Sequence, residues 1–126
     1  MKIDAIILRE LRVPLVRPFE TSFGVTHDRR ILLVEIQSEG LTGWGECTAG
    51  EHPNFSEESC ETAWAMIVLE LGPILAAEAP EHGGDCPHIF RHVRGNRMAN
   101  AALENAVWDL EAQREGISLS RLIGGV

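Results

Sequence analysis

At 126 residues, with 44% apolar and 24% charged side chains and a mean hydropathy near zero, the chain has the composition of one soluble globular domain. A formal charge of −8, with Lys2 the only lysine, argues against a basic phosphate-tracking face, so neither nucleic acid nor an anionic membrane is an expected partner. Cys47, Cys60 and Cys86 are odd in number and lack a CxxC pair, which fits reduced thiols; the charged start MKIDAIILRELRV reads as neither signal peptide nor spanning segment, and a cytoplasmic address is expected.

Residues 3–13 are rich in Ile, Leu and Val, interrupted by Asp4, Arg9, Glu10 and Arg12, which predicts a strand with one solvated face ending near Pro14. Pro14 and Pro18 then open a polar loop, Pro18-Phe-Glu-Thr-Ser-Phe-Gly24, whose Gly24 can take backbone angles that other residues avoid. Arg30–Gln37 reads as a second strand, Ser38-Glu-Gly40 as a turn, and Thr42–Cys47 as a short third strand, together an antiparallel meander.

From Ser56 the period changes. Asn54 or Ser56 is the expected cap of a helix with Glu57 and Glu58 in its first turn, and Ala63, Trp64, Ile67, Val68 and Leu71 give it an apolar face until Gly72-Pro73 ends or kinks it. A short apolar segment, 74–79, and a loop over 80–87 follow, and Pro87 starts a short helix through Val93. The clearest helix runs from an Asn96 cap to about Glu115, stopped by Gly116, with Ala99, Ala102, Leu103, Ala106, Val107 and Leu110 on one small-residue face suited to close packing. One more short turn fits in 117–126. Strands followed by helices predict an α+β fold, a three-stranded antiparallel meander followed by a helical bundle on one side of it.

The residues alone define no catalytic constellation. Gly43-Trp-Gly-Glu46 lacks the third glycine of a dinucleotide fingerprint, since position 48 is threonine, and reads better as a strand with close backbone approach. Cys86, His88 and His92 have spacing that can be drawn around zinc, but surface histidines are the better reading. Glu46, Glu104 and Asp109 are each capable of acid or base work, yet nothing pairs them; Glu104 is expected beside Trp108 or solvent, and Cys60 in the core. The two phenylalanines of the 18–24 loop either pack it onto the domain or are held out for another role.

Taken in order, Pro18-Phe-Glu-Thr-Ser-Phe-Gly24, Gly43-Trp-Gly-Glu-Cys47, Arg94-Gly-Asn-Arg-Met-Ala99, Ala102-Leu-Glu104, Val107-Trp-Asp-Leu110 and Leu122-Ile-Gly-Gly125 resemble the N-terminal capping domain of the enolase superfamily (mandelate racemase/muconate lactonizing enzyme type). The resemblance is nearest to the branch of o-succinylbenzoate synthases and N-acylamino acid racemases, with dipeptide epimerases and muconate cycloisomerases as further alternatives. It implies one capping domain over 1–126, with sheet and specificity loops in 1–55 and helices plus the start of a linker in 56–126. It also implies an accompanying barrel of roughly 250 residues that abstracts a proton next to a carboxylate with lysines and Mg²⁺. Neither the family's Lys-x-Lys pair nor its opposite lysine exists here, so no catalytic residue and no metal is expected in this chain, which is inactive by itself.

The loops matching 18–24 and 48–56 would close over a small carboxylate substrate. Phe19 and Phe23 would be apolar walls, Thr21, Ser22 and Gly24 would shape the first loop, and Gly50, His52 and Phe55 would stand in the second. Gly50-Glu-His52 departs from the bulkier stretch of relatives, and Glu20 with Glu51 hints at a substrate with a cationic part. A homo-oligomer is expected of the full-length enzyme. The alternative from another class is a stand-alone binding or assembly module that uses the same surface as an interface.

Overall fold

The computed structural model describes all 126 residues. Three antiparallel strands, β1 (Ala5–Thr21), β2 (Gly24–Ser38) and β3 (Leu41–Cys47), form a sheet of order β1-β2-β3. The β2–β3 turn is a two-residue loop, Glu39-Gly40, both with positive φ, the geometry that matches strand twist.

β1 does not end near Pro14. It continues to Thr21, so Pro18-Phe-Glu-Thr-Ser-Phe-Gly24 is the tip of a long hairpin rather than a loop. Both prolines are tolerated because β1 is an edge strand, where a missing N–H breaks no ladder. The pairing also shifts between Pro14↔Asp28 and Phe19↔Thr26, so that residues 15–18 bulge opposite His27 alone. The turn itself is tight: the Phe23 N–H donates to Thr21 Oγ1 at 3.2 Å, and Gly24 takes a φ of 141°.

Helix α1 (Cys60–Glu78) starts three residues later than a Ser56 cap implies. Ser59 is its cap, in a reciprocal capping box with Thr62, while Glu57 and Glu58 precede it. Gly72-Pro73 does not end it either: Ile67–Leu71 form a π turn in which the Gly72 N–H reaches Ile67 O, and this widening accommodates Pro73 in an otherwise continuous helix. The expected apolar segment 74–79 is therefore largely its last turns. By length and composition alone α1 is apolar enough to cross a membrane. In this fold Cys60, Ala63, Ile67, Leu71 and Leu75 turn one face into the core, whereas Trp64 and Val68 are partly exposed.

A 3₁₀ turn, Gly83–Asp85, leads into α2 (Cys86–Ile89), shorter than the 87–93 helix expected. Helix α3 (Arg97–Glu115) and the short α4 (Leu119–Leu122) lie where the sequence pattern puts them. All six residues of the anticipated α3 face are buried. They pack against β3 closely enough that a Cβ on Gly43 would meet Ala106 O at 2.2 Å and one on Gly45 would meet Ala102 O at 1.9 Å. The glycines of Gly43-Trp-Gly45 thus serve backbone approach to a helix, not a nucleotide.

Candidate functional site

The hairpin tip carries Phe19 and Phe23, and the segment after β3 carries Phe55. Their rings are 63%, 82% and 88% exposed, so neither tip ring packs the hairpin onto its own domain. Phe19, Phe23 and Phe55 instead border a hollow of about 330 Å³ with Met98 of α3 as a further apolar wall. Thr21, Gly50 and His52 line it too, as do Thr26, Thr48, Asn54 and Ser56. Ser22 and Gly24 do not; they set the turn that presents Phe23.

Two tethers shape this hollow. A bridge from Gly50 to Ser59, with Cys60 N–H donating to Gly50 O at 2.8 Å, draws the 50–59 segment into a closed loop. Glu58, on its last stretch, is 4% exposed, and its carboxylate accepts from the Met98 N–H (2.9 Å) and the Ala99 N–H (3.1 Å). This contact corrects the expectation for α3: Asn96 is left-handed and makes no capping bond, its amide donating instead to Arg94 O. A carboxylate from a distant segment caps the helix, where the dipole favours negative charge.

Glu58 is the one carboxylate bordering the hollow, and its charge is committed to α3. Glu51 lies to one side, bonded to Arg12 Nη2 at 2.8 Å, and that guanidinium holds its carboxyl below the ordinary range. Arg12 also pairs with Asp28. Glu51 is thus already neutralised, which removes half of the hint of a cationic substrate. What remains is a cup of aromatic and thioether walls with hydroxyl, amide and imidazole groups at its edge. It suits an apolar or aryl group carrying few polar atoms.

The other candidates do not converge. Cys86 is buried, with burial pushing its thiol up to about 12, while His88 and His92 are exposed, and no three His, Cys, Asp or Glu side chains come together to hold a metal. No such group offers the set of carboxylate oxygens that Mg²⁺ takes. Trp108 Nε1 donates to Glu104 (3.2 Å), the Trp44 N–H to Asp109 (2.9 Å), and Glu46 is exposed, so the three carboxylates form no acid–base pair. Cys60 lies in the core as expected. Met98 and Glu58 were the residues hardest to foresee; the signals present were the quoted Arg94–Ala99 motif and an acid in a misplaced first turn.

Fold and cup together define a class: an α+β domain of a three-stranded meander backed by helices, with an exposed aromatic cup at the hairpin tip. Residues 2–124 match the family described as "Mandelate racemase / muconate lactonizing enzyme, N-terminal domain", and the chain belongs to it. It is similar to an o-succinylbenzoate synthase of Geobacillus kaustophilus, 42% identical over 99% of this chain and 34% of the relative. It is 34% identical to an N-succinylamino acid racemase of Amycolatopsis sp, over 100% of this chain and 34% of that protein. A solved enolase-superfamily member from Enterococcus faecalis superposes with a TM-score of 0.89 at 38% identity, over 98% of this chain and 34% of the other. The chain thus spans about a third of the length of the relatives it matches.

Proposed function

We propose that this domain is the substrate-capping and specificity element of a Mg²⁺-dependent enolase-superfamily enzyme of the o-succinylbenzoate synthase and N-acylamino acid racemase branch. Its substrate would be a small carboxylate bearing an apolar or aryl group. The observation that carries this reading is the convergence of Phe19, Phe23, Phe55 and Met98 from three separate segments on one cup with no free carboxylate. When bound, Mg²⁺ would stabilise the enediolate left by proton removal, from ligands outside this chain. The chain's own residues surround the substrate's apolar group, exclude water and hold the substrate in register with the catalytic groups.

The test places this cap ahead of the barrel of the 42% identical Geobacillus kaustophilus relative and substitutes Phe19 or Phe23 by alanine. A wall of the cup raises KM or reorders substrates while the melting temperature stays near the parent value; unchanged kinetics with lowered stability would overturn the assignment. The exposure of all three rings also favours a second reading, a binding or assembly module that covers them. A discrete oligomer by size-exclusion chromatography, dispersed by Phe23→Ala, would support that alternative.

A further inference from the structure

Arg12 on β1 and Arg30 on β2 stand directly opposite each other in the ladder, a placement of like charges that costs stability unless each is paired. Each is held by two carboxylates, and the two sets lead to different elements. Arg30 bonds Glu10 of its own hairpin and Glu61 of α1, which ties the sheet to that helix. Arg12 bonds Asp28 of its own hairpin and Glu51 of the 50–59 segment, with Nη2 at 2.8 Å from Oε1 and Nη1 at 3.4 Å from Oε2.

The second set bears on the phenylalanine cup. Phe19 and Phe23 stand on the hairpin and Phe55 on the 50–59 segment, and the Arg12–Glu51 contact is the one polar link between the hairpin and residues 51–57. The bridge from Gly50 to Ser59 closes the stem of the segment but leaves its lean free. Within it the Asn54 N–H donates to His52 O, and on its far side Ser56 Oγ lies 3.8 Å from Met98 Sδ; neither contact reaches the hairpin. Arg12 sits where the β1–β2 pairing is regular, before Pro14 and the bulge, so it offers the segment a fixed point on the stiff part of the sheet. Neither Arg12 nor Glu51 borders the cup, so any effect of theirs on a ligand there is exerted through position.

We propose that Arg12 is a positioning residue: through Glu51 it sets the lean of the 50–59 segment, and with it the gap between Phe55 and the two hairpin rings. The kinetic consequence rests on the capping function proposed above, whereas the gap itself is a property of the domain.

The test labels the 126-residue chain with 4-fluorophenylalanine, which places fluorine at Phe19, Phe23, Phe55 and the buried Phe90, the last serving as internal reference. Arg12→Gln and Glu51→Gln should each shift the Phe55 resonance while that of Phe90 stays in place, and the double variant should show the shift of one change rather than the sum of two. Salt screens an exposed ion pair, so about 1 M sodium chloride should move the parent Phe55 resonance toward the variants and leave that of Glu51→Gln unmoved. A Phe55 resonance unmoved by both substitutions, additive shifts, or equal salt responses in parent and Glu51→Gln would each overturn the inference. In the fusion to the Geobacillus kaustophilus barrel, Arg12→Gln should raise KM about threefold at unchanged kcat, the size an exposed pair supports. If Phe19→Ala or Phe23→Ala alters the kinetics and Arg12→Gln does not, the positioning role falls. If none of the three alters them, the capping function falls, and the fluorine spectrum decides the coupling by itself.

Discussion

Replacing Glu58 by alanine removes both the cap of α3 and the tie that holds the 50–59 segment. The carboxylate is 4% exposed and serves two backbone donors, the N–H groups of Met98 and Ala99. Asn96 is left-handed, with its amide committed elsewhere, so no side chain takes over. Loss of an N-cap costs about 1 kcal/mol, and the favourable placement of a charge at a helix N-terminus adds about 0.5 kcal/mol. Leaving the buried Ala99 N–H without an acceptor adds roughly 1–2 kcal/mol. The sum is about 3 kcal/mol, or a fall in melting temperature on the order of 12 °C for a domain of this size. Glu58→Gln keeps an acceptor oxygen and should cost only about 1 kcal/mol. Urea unfolding followed by circular dichroism gives the first quantity, and amide hydrogen exchange at Met98 and Ala99 shows whether the loss is local. An alanine variant within about 0.5 kcal/mol of the parent, with those amides still protected, would refute the reasoning.

Gly45→Ala drives a methyl group to 1.9 Å from Ala102 O, and because the obstacle is main chain the helix must move; destabilisation of about 3 kcal/mol or more is expected by chemical denaturation. His82 Nδ1 lies 2.9 Å from the buried Glu111 carboxylate, which raises the histidine above its ordinary 6.5. The raised value means that the contribution is fully present below 6.5 and is lost as pH rises through the folded-state value. The stability gap between the parent and His82→Gln should therefore shrink from acidic to alkaline pH; a constant gap would contradict this. All three thiols are buried and pushed upward by desolvation, Cys86 to about 12, so a thiol reagent at mildly alkaline pH should label none until denaturant is added.

Much of the fold was legible because it obeys local rules. The six-residue face of α3 follows a 3.6-residue period, Gly116 closes the helix, and the glycines of β3 anticipate a close neighbour. The misreadings share a cause, since each local signal was answered by a partner far away in sequence. Pro14 and Pro18 look like strand breakers until β1 is known to be an edge. Glu58 looks like the first turn of α1, but it caps a helix 40 residues on. Phe19, Phe23 and Phe55 were visible as aromatics in polar surroundings, but their union with Met98 depends on hairpin length, the bulge at 15–18 and the Glu58 tether.

The backbone seam between Gly43, Gly45 and the carbonyl groups of Ala102 and Ala106 leaves β3 and α3 no room to slide. The same end of this unit anchors the segment that bears Phe55, through Glu58, and gives off the paired strands that carry Phe19 and Phe23. The base of the cup therefore behaves as a solid mount, and compliance is left to the hairpin beyond the bulge at 15–18. New ligand preferences are open to substitution at the tip side chains, where the mount is undisturbed, whereas a wider or narrower mount would require rebuilding the seam.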